Sequence, residues 1–212
     1  MINRLPSHKR IVIIGGGVIG CSIAYHLARA GERDVLLLDK ARLTSGATWH
    51  AAGLVGQLRS TSNRTRMMKY SAELFARIGA ETGQDVGWHE VGSLRVASSP
   101  ERWEELKRAA TTAKALNFEL HPISPAELKR LYPVCSTVGV VGAAYIPRDG
   151  YVDPYSLTQA YAKGARGGGA SLLENVAVTG LERVGDRIHR VVTDHGTVDC
   201  EVVVNAGGLW GR

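Results

Sequence analysis

Three glycines and a carboxylate near the N-terminus have the spacing of a site for an adenine dinucleotide. Gly15, Gly17 and Gly20 form the pattern G-x-G-x-x-G directly after four apolar residues, and Asp39 follows the next apolar run. In this pattern the first glycine permits a tight turn, the second lets backbone approach a pyrophosphate, and the third lets a helix pack closely on a strand. The carboxylate accepts hydrogen bonds from ribose hydroxyls. These residues by themselves fit a flavin and a nicotinamide dinucleotide equally well, and a glycine-rich turn without a ligand is the alternative.

A second candidate site is the run of small residues at 43–54, which carries Trp49 and His50. Small side chains over such a stretch predict backbone that lies close to phosphates or to a flat surface. From the residues alone, His50 is more often a hydrogen-bonded structural residue or a pyrophosphate contact than a covalent anchor.

Two further groups carry charge or aromatic rings. The densest basic group is Arg59, Arg64, Arg66 and Lys69. The sequence favours a solvated helix face for this group, with a phosphate contact or attraction of a carboxylate substrate as alternatives. The rings that could form a cation–π pocket for a methylated amine are Trp88, Trp103, Tyr145 and Tyr151, although core packing is favoured for most of them.

The elements that must position the glycines are a strand over residues 11–14, a helix over 21–30 and a second strand over 34–38. A strand that turns sharply into a helix at a glycine pattern begins a parallel, Rossmann-type sheet, so the predicted fold class is α/β. Cys21 stands directly after the turn, where a small apolar residue packs the helix against the sheet, and we interpret it as a core residue.

The rest of the chain predicts a mixture of helices and strands. A helix over 63–80 follows from its apolar spacing, and three more are predicted after the caps Ser98, Ser124 and Asp153. Ser124 forms a capping box with Glu127. The predicted strands cover residues 88–98, 138–146, 171–173, 176–184, 188–193 and 197–205.

Composition and charge argue against several classes of function. The formal charge is +6, but Lys and Arg alternate with Asp and Glu, so no nucleic-acid surface is predicted. No apolar run approaches the roughly 20 residues of a membrane-spanning helix, and the N-terminus lacks the apolar core of a signal peptide. Three widely spaced cysteines match neither a disulfide framework nor a zinc site. We expect a cytoplasmic protein without a metal site, or a mitochondrial matrix protein if a longer precursor exists.

The last residues of the chain predict a parallel strand without the helix that should cover it. An apolar strand at 202–204 feeds a small-residue turn at 205–208 that should open a helix, and little sequence follows it. A parallel strand needs a covering helix on its face. We therefore expect the chain to be the N-terminal fragment of a longer protein.

Several segments resemble the flavin-dependent amine dehydrogenases and oxidases related to D-amino-acid oxidase, and within them the sarcosine and dimethylglycine dehydrogenases. The segments are IVIIGGGVIG at 11–20, LTSGATWHAAGL at 43–54, ETGQ at 81–84, DGYVDPYSL at 149–157 and VVNAGGLW at 203–210. The resemblance covers nearly the whole chain. Many flavoproteins share the glycine pattern, whereas TWHAAGL is much narrower and is typical of demethylating enzymes.

The resemblance implies a Rossmann-type FAD-binding domain with part of an interleaved α+β substrate domain. The FAD-binding domain is expected at 1–85 and 151–212, with a substrate-domain segment at 86–150. Catalytic residues are expected beyond residue 212. Asp39 stands where the family more usually has a glutamate, and either carboxylate can bind the ribose. The implied FAD contacts are Gly15, Gly17, Val18, Ile19, Gly20, Asp39, Lys40, Gly46, Ala47, Thr48, Trp49, His50, Ala51, Ala52, Gly53, Leu54, Val178, Gly207 and Trp210.

The resemblance also implies a reaction and its partners. In sarcosine and dimethylglycine dehydrogenases the histidine of the TWHAAG motif is joined to the flavin 8α-methyl, so His50 is the expected covalent anchor, and a neutral imidazole is a competent nucleophile. The implied reaction removes a hydride from the N-methyl carbon of a methylated amine. The resulting iminium is hydrolysed to formaldehyde or captured by tetrahydrofolate. Electrons then pass to an electron-transfer flavoprotein or to oxygen, and Arg59 is the candidate for binding the substrate carboxylate.

Three alternatives to this function stay open. The first is an oxidase for another secondary amine, such as proline-type chemistry on a related fold, although the TWHAAG motif argues against it. The second is a non-catalytic module that binds flavin or folate. The third is an NAD(P) dehydrogenase, because the glycine turn and Asp39 fit that cofactor as well.

Overall fold

The computed structural model describes residues 5–211, and the chain divides into two compact units. The first unit contains Met1–Gly53, Arg77–Gly87 and Asp153–Arg212, and the second contains Leu54–Ala76 and Trp88–Val152. Residues 54–76, which were expected with the first part of the chain, therefore lie in the second unit. The physical reason is backbone pairing, because the strand at 54–55 hydrogen-bonds to the strand at 150–151.

The chain alternates strands and helices along most of its length. The strands are β1 (Ile11–Ile14), β2 (Val35–Leu38), β3 (Leu54–Val55), β4 (Ser93–Ala97), β5 (His121–Ile123), β6 (Gly142–Ile146), β7 (Gly150–Tyr151), β8 (Ser171–Leu173), β9 (Val178–Val184), β10 (Arg187–Thr193), β11 (Gly196–Asp199) and β12 (Val202–Asn205). The α-helices are α1 (Val18–Arg29), α2 (Ser62–Thr82), α3 (Pro100–Ala115), α4 (Pro125–Leu131) and α5 (Pro154–Gly167). Within residues 5–211, no helix is both long enough and apolar enough to cross a membrane.

The first unit is built on a parallel sheet of four strands in the order β12-β1-β2-β8. The β2 strand is apolar and buried at every position, as expected for a parallel strand that is covered on both faces. Helix α1 packs on helix α5, and Val12, Leu36 and Val176 share one apolar cluster with residues of β10 and β11. The predicted α/β class with a parallel sheet is confirmed.

A second sheet in the first unit corrects one prediction. Strands β11, β10 and β9 form an antiparallel sheet, and β11 is separate from β12. The single strand predicted over 197–205 is therefore wrong. The break falls at Cys200 and Glu201, where the Cys200 N–H donates to His189 O while the Glu201 N–H donates to Arg10 O. The chain thus leaves one sheet for the other within two residues.

The second unit contains an antiparallel sheet in the order β4-β6-β5, with helix α3 packed on β6. Leu106 and Ala110 of α3 share an apolar cluster with Ala144 and Ile146 of β6. The amphipathic spacing of α3 places these residues on one face, which is the face that becomes buried.

Helix caps follow the sequence signals at two of the three predicted positions. The capping box of Ser124 with Glu127 is confirmed, and Asp153 caps α5 by accepting from the Ser156 N–H. Ser98 is wrong as the cap of α3. Ser99 has this role, because its hydroxyl accepts from the Arg102 N–H at 3.2 Å, one position further along the chain.

The four aromatic rings considered for a methylated-amine pocket each have a different neighbour. Trp103 lies against Gly142, where a Cβ would come within 2.8 Å of the ring, and Tyr145 lies against Gly92. Trp88 meets Phe75 edge to face, and Tyr151 stacks on His89. These contacts agree with the packing role that the sequence favours for most of them.

Candidate functional site

The glycine turn joins β1 to α1 and closes with the geometry that its sequence predicts. Gly15 has φ +110°, a value that glycine adopts without steric cost, and its N–H donates to Leu38 O at 2.8 Å. A Cβ on Gly15 would lie 2.4 Å from Ala206 O, and one on Gly20 would lie 1.8 Å from Gly15 O. The turn at Gly15 and the close helix packing at Gly20 are therefore confirmed.

The N-terminus of α1 opens from this turn. Gly17 is its N-cap, and the Val18 N–H donates to the Thr48 hydroxyl at 3.0 Å. Thr48 is 9% exposed, so its side chain is a buried support for the first turn of the helix. A helix N-terminus carries partial positive charge and unpaired N–H groups, which favour phosphate. The approach of a pyrophosphate to Gly17 stays a prediction.

Asp39 follows the carboxyl end of β2 and holds the backbone on either side of it. Its Oδ2 accepts from the Gly16 N–H at 2.6 Å, and its Oδ1 accepts from the Ala41 N–H at 2.8 Å. An ionised carboxylate has about four lone-pair sites, so acceptor capacity for ribose hydroxyls remains. The glycine pattern gives tasks to Gly15, Gly17 and Gly20 but none to Gly16, so it does not predict the bond from the Gly16 N–H to Asp39.

Two side chains closely surround Gly16. A Cβ at this position would lie 2.5 Å from Leu43 Cδ2 and 3.1 Å from Asp39 Oδ2. The signal that could have revealed this constraint is the run of three consecutive glycines, since the pattern needs glycine at only two of those positions.

A cavity of about 590 Å³ lies at the carboxyl ends of the parallel strands of the first unit. Open α/β sheets bind ligands at this edge. The predicted residues that line the cavity are Gly15, Gly17, Val18, Ile19, Asp39, Lys40, Gly46, Ala47, Thr48, Ala51, Val178, Gly207 and Trp210. The lining residues that sequence reasoning missed are Ile14, Leu38, Ala41, Ser45, Val176, Ala177, Ala206 and Gly208. Most of these residues are sequence neighbours of predicted ones. They meet at one cavity because strands that are distant in sequence end there.

Six predicted contacts do not line this cavity: Gly20, Trp49, His50, Ala52, Gly53 and Leu54. Gly20 is buried behind the turn against Gly15. Trp49 and His50 are exposed, and their rings are in tilted contact, with centroids 3.8 Å apart and planes at 37°. Leu54 belongs to the second unit and is 79% exposed. Contacts of these residues with FAD stay predictions.

Two side chains of opposite charge line the cavity, namely Asp39 and Lys40. The Lys40 ammonium lies 4.5 Å from the centroid of the Trp210 ring, in a cation–π contact. A Cβ on Gly46 would lie 3.2 Å from the same ring. The ring is therefore held between a lysine and a stretch of bare backbone at the cavity wall.

The lining fits an adenine dinucleotide. Glycine backbone at a helix N-terminus is suited to phosphates, a carboxylate after β2 is suited to ribose hydroxyls, and the Val176–Val178 wall is suited to an adenine ring. The same features suit the adenosine half of either FAD or NAD, so the geometry of the turn does not choose between them.

Cys21 is buried in the first turns of α1, with its sulfur 3.6 Å from Gly16 O. Burial raises the pKa of this thiol to about 12, so the reactive thiolate is absent near neutral pH. Its interpretation as a core residue is confirmed. In the second unit, Arg64 and Arg66 are exposed on α2, as the solvated-face interpretation predicts. Arg59 is exposed but precedes that helix, and Lys69 is only partly exposed and donates to Asn117 O.

Sequence comparison separates the cofactors that the geometry leaves equivalent. The family model described as FAD dependent oxidoreductase (DAO) matches residues 10–212. The chain is 43% identical over 208 residues to 4-methylaminobutanoate oxidase (formaldehyde-forming) of Paenarthrobacter nicotinovorans, covering 98% of this chain and 25% of that protein. It is 44% identical over 201 residues to mitochondrial dimethylglycine dehydrogenase of Rattus norvegicus (95% and 24%), and 40% identical over 212 residues to mitochondrial sarcosine dehydrogenase of Mus musculus (97% and 23%). The chain thus spans about a quarter of the length of these relatives.

A solved structure has the same fold. The crystal structure of L-proline dehydrogenase from P. horikoshii matches with a TM-score of 0.92 at 32% identity, covering 98% of this chain and 55% of that one. The match extends over almost all of this chain.

Proposed function

The chain belongs to the FAD dependent oxidoreductase family, and from this premise we propose that the whole protein oxidatively demethylates an N-methyl amino acid. The observation that carries this proposal is identity of 40–44% to relatives named for sarcosine, dimethylglycine and 4-methylaminobutanoate. Each of these three substrates carries a methyl group on an amine nitrogen next to a carbon chain that ends in a carboxylate. An N-methyl amino acid is therefore the substrate class we propose.

The first unit is the part that we assign to FAD. Its phosphate turn would hold the pyrophosphate at the N-terminus of α1, Asp39 would accept from the ribose, and Val178 would face the adenine. The bound flavin supplies the acceptor for a hydride. The residues of this chain bind and orient that cofactor, and catalytic residues are proposed beyond residue 212.

His50 is the proposed covalent anchor for the flavin. Its imidazole is exposed and in tilted contact with the Trp49 ring, and small residues precede and follow this pair in the sequence. An exposed ring among alanines and glycines leaves room for a flat group to approach. Contact with the Trp49 ring would limit the orientations of the imidazole.

Further partners follow from the same proposal. Arg59 is the candidate for the substrate carboxylate, tetrahydrofolate is the candidate carrier for the released one-carbon unit, and an electron-transfer flavoprotein or oxygen takes the electrons. We propose a cytoplasmic protein, or one of the mitochondrial matrix if a longer precursor exists. Two of the relatives are named as mitochondrial.

The test is anaerobic reduction of the full-length protein's flavin by a panel of amines. Sarcosine, dimethylglycine and 4-methylaminobutanoate are the expected substrates, glycine is the unmethylated control, and loss of the oxidised flavin absorbance is the signal. Formaldehyde should appear in the same samples. A protein that binds FAD but whose flavin no amine reduces would support a non-catalytic flavin-binding module instead.

A second candidate is oxidation of a ring-containing secondary amine such as proline. The observation that favours it is the TM-score of 0.92 to L-proline dehydrogenase at 32% identity. L-Proline belongs in the same panel. If L-proline reduces the flavin and the N-methyl amino acids do not, oxidation of a ring-containing amine is favoured over demethylation.

A further inference from the structure

Glu174 contacts the loop after β2, next to the phosphate turn, and no pattern in the sequence predicts this contact. It follows β8, and its Oε1 accepts from the Leu43 N–H at 2.7 Å across 131 positions of sequence. Its side chain is only partly buried. Hydrogen bonds to an ionised carboxylate are roughly twice as strong as those between neutral groups. The contact therefore ties the segment after β8 to the loop after β2.

Backbone bonds already run between these two segments. The Asp39 N–H donates to Leu173 O, the Val176 N–H donates to Asp39 O, and the Asn175 N–H donates to Ala41 O, at 2.9–3.1 Å. The bond from the Leu43 N–H to the Glu174 side chain adds a fourth contact, two residues beyond Ala41 in the loop after β2. It thus restrains the part of the loop that the backbone bonds do not reach.

Leu43 lies against the phosphate turn. Its side chain is buried, and its Cδ2 is the nearest atom to the space where a Cβ of Gly16 would lie. The next residue, Thr44, donates its N–H to Gly16 O at 3.0 Å and has φ +72°, an uncommon value for a residue other than glycine. Leu43 and Thr44 therefore support Gly16 together with Asp39, which accepts from the Gly16 N–H.

We propose that Glu174 is a positioning residue for the dinucleotide site. By fixing the N–H of Leu43, it holds the loop that supports Gly16, and so keeps the phosphate turn in the geometry that receives the pyrophosphate. Glu174 acts through Leu43 and Gly16 rather than by touching the cofactor. This proposal rests on the proposed binding of FAD.

Limited proteolysis tests the bond between Glu174 and Leu43 directly, because the Leu43 N–H belongs to the peptide bond that trypsin cleaves after Arg42. Arg42 is exposed. In the full-length protein without flavin, Glu174→Ala should speed cleavage after Arg42 about tenfold, because loss of the acceptor raises the open fraction of the loop. Glu174→Gln keeps an acceptor oxygen without the charge and should be cleaved more slowly than Glu174→Ala. Glu119→Ala, at an exposed glutamate of the second unit, is the matched control.

Flavin binding provides the second measurement. All variants are made in a His50→Ala background, so that FAD binds reversibly, and FAD is titrated into the full-length apoprotein by fluorescence quenching. Glu174→Ala should raise the dissociation constant for FAD about tenfold, and Glu174→Gln should restore most of the affinity. Recovery with the amide distinguishes a lost acceptor from a general loss of structure.

The outcomes separate the proposal from its premise. Unchanged cleavage after Arg42, or faster cleavage with unchanged FAD affinity, would overturn the positioning role. Equal acceleration after Arg42 and after the exposed Arg187 would also overturn it, because that result reports general unfolding. If the parent protein binds no FAD, the proposed function itself is wrong, and that result is visible without any Glu174 variant.

Discussion

Gly20→Ala is the sharpest test of how the phosphate turn is built. A Cβ at this position would lie 1.8 Å from Gly15 O, and that oxygen belongs to backbone that is itself held by a hydrogen bond from the Gly15 N–H to Leu38 O. Helix α1 or the turn must therefore move. Overpacking of this kind typically costs about 1–3 kcal/mol, and a rigid backbone contact belongs at the upper end.

The expected magnitude is a balance of two effects. Alanine inside a helix is favoured over glycine by about 1 kcal/mol, which offsets part of a clash of about 3 kcal/mol and leaves a net loss of about 2 kcal/mol. At about 2–4 °C per kcal/mol, the value typical of domains of about 150–250 residues, this loss lowers the thermal midpoint by about 4–8 °C. FAD affinity should fall in parallel, because the displaced residues line the cavity.

The assay follows the thermal midpoint of the full-length protein through its flavin fluorescence, which reports on the FAD-binding unit. Gly167→Ala is the matched control in the same unit. It is also helical, and nothing lies within 4 Å of its Cβ position, so alanine there should leave the midpoint unchanged or raise it. A Gly20→Ala midpoint equal to that of Gly167→Ala would refute the reasoning.

Three further predictions concern single side chains. His50→Ala should move the yellow colour from the pellet to the supernatant after acid precipitation; colour that stays in the pellet would exclude His50 as the covalent anchor. Thr48→Val removes the acceptor for the Val18 N–H and should weaken FAD binding about tenfold, whereas Thr48→Ser should not; equal affinities in a titration would contradict this support role. Asp153→Ala should cost about 1 kcal/mol near neutral pH, through loss of the α5 cap. The bond from Ser156 lowers the pKa of Asp153, so its stabilisation is present above the usual carboxyl pKa and is lost as pH falls through the lowered value; a difference in midpoint that persists in acid would contradict this assignment.

Local signals in the sequence predicted the phosphate turn and two of the helix caps. The strand, turn and helix around Gly15 and Gly20 follow from short-range sterics, and the Ser124 and Asp153 caps follow from side chains that bond to backbone three residues away. The TWHAAG segment and its companions predicted the FAD-dependent family. Each of these inferences needs only residues that are close in sequence or a match of whole segments.

Two predictions were wrong because neighbouring residues of similar type compete for one role or share one propensity. Ser98 and Ser99 both precede a proline helix start, and only the structure shows which hydroxyl reaches the Arg102 N–H. The run from 197 to 205 is uniformly prone to form a strand, so its local propensity does not reveal the change of sheet at Cys200. Pairing with distant strands decided that break.

The sequence by itself determined the class of fold, the phosphate turn and the family, because these depend on periodicity, on glycine sterics and on motifs that are continuous along the chain. The tertiary structure alone decided how the turn is supported. Thr48 beneath α1, Asp39 on Gly16 and Glu174 on Leu43 are contacts across 23 to 131 positions. Threonine and acidic residues occur throughout the chain, and only folding selects which of them meets a particular N–H group.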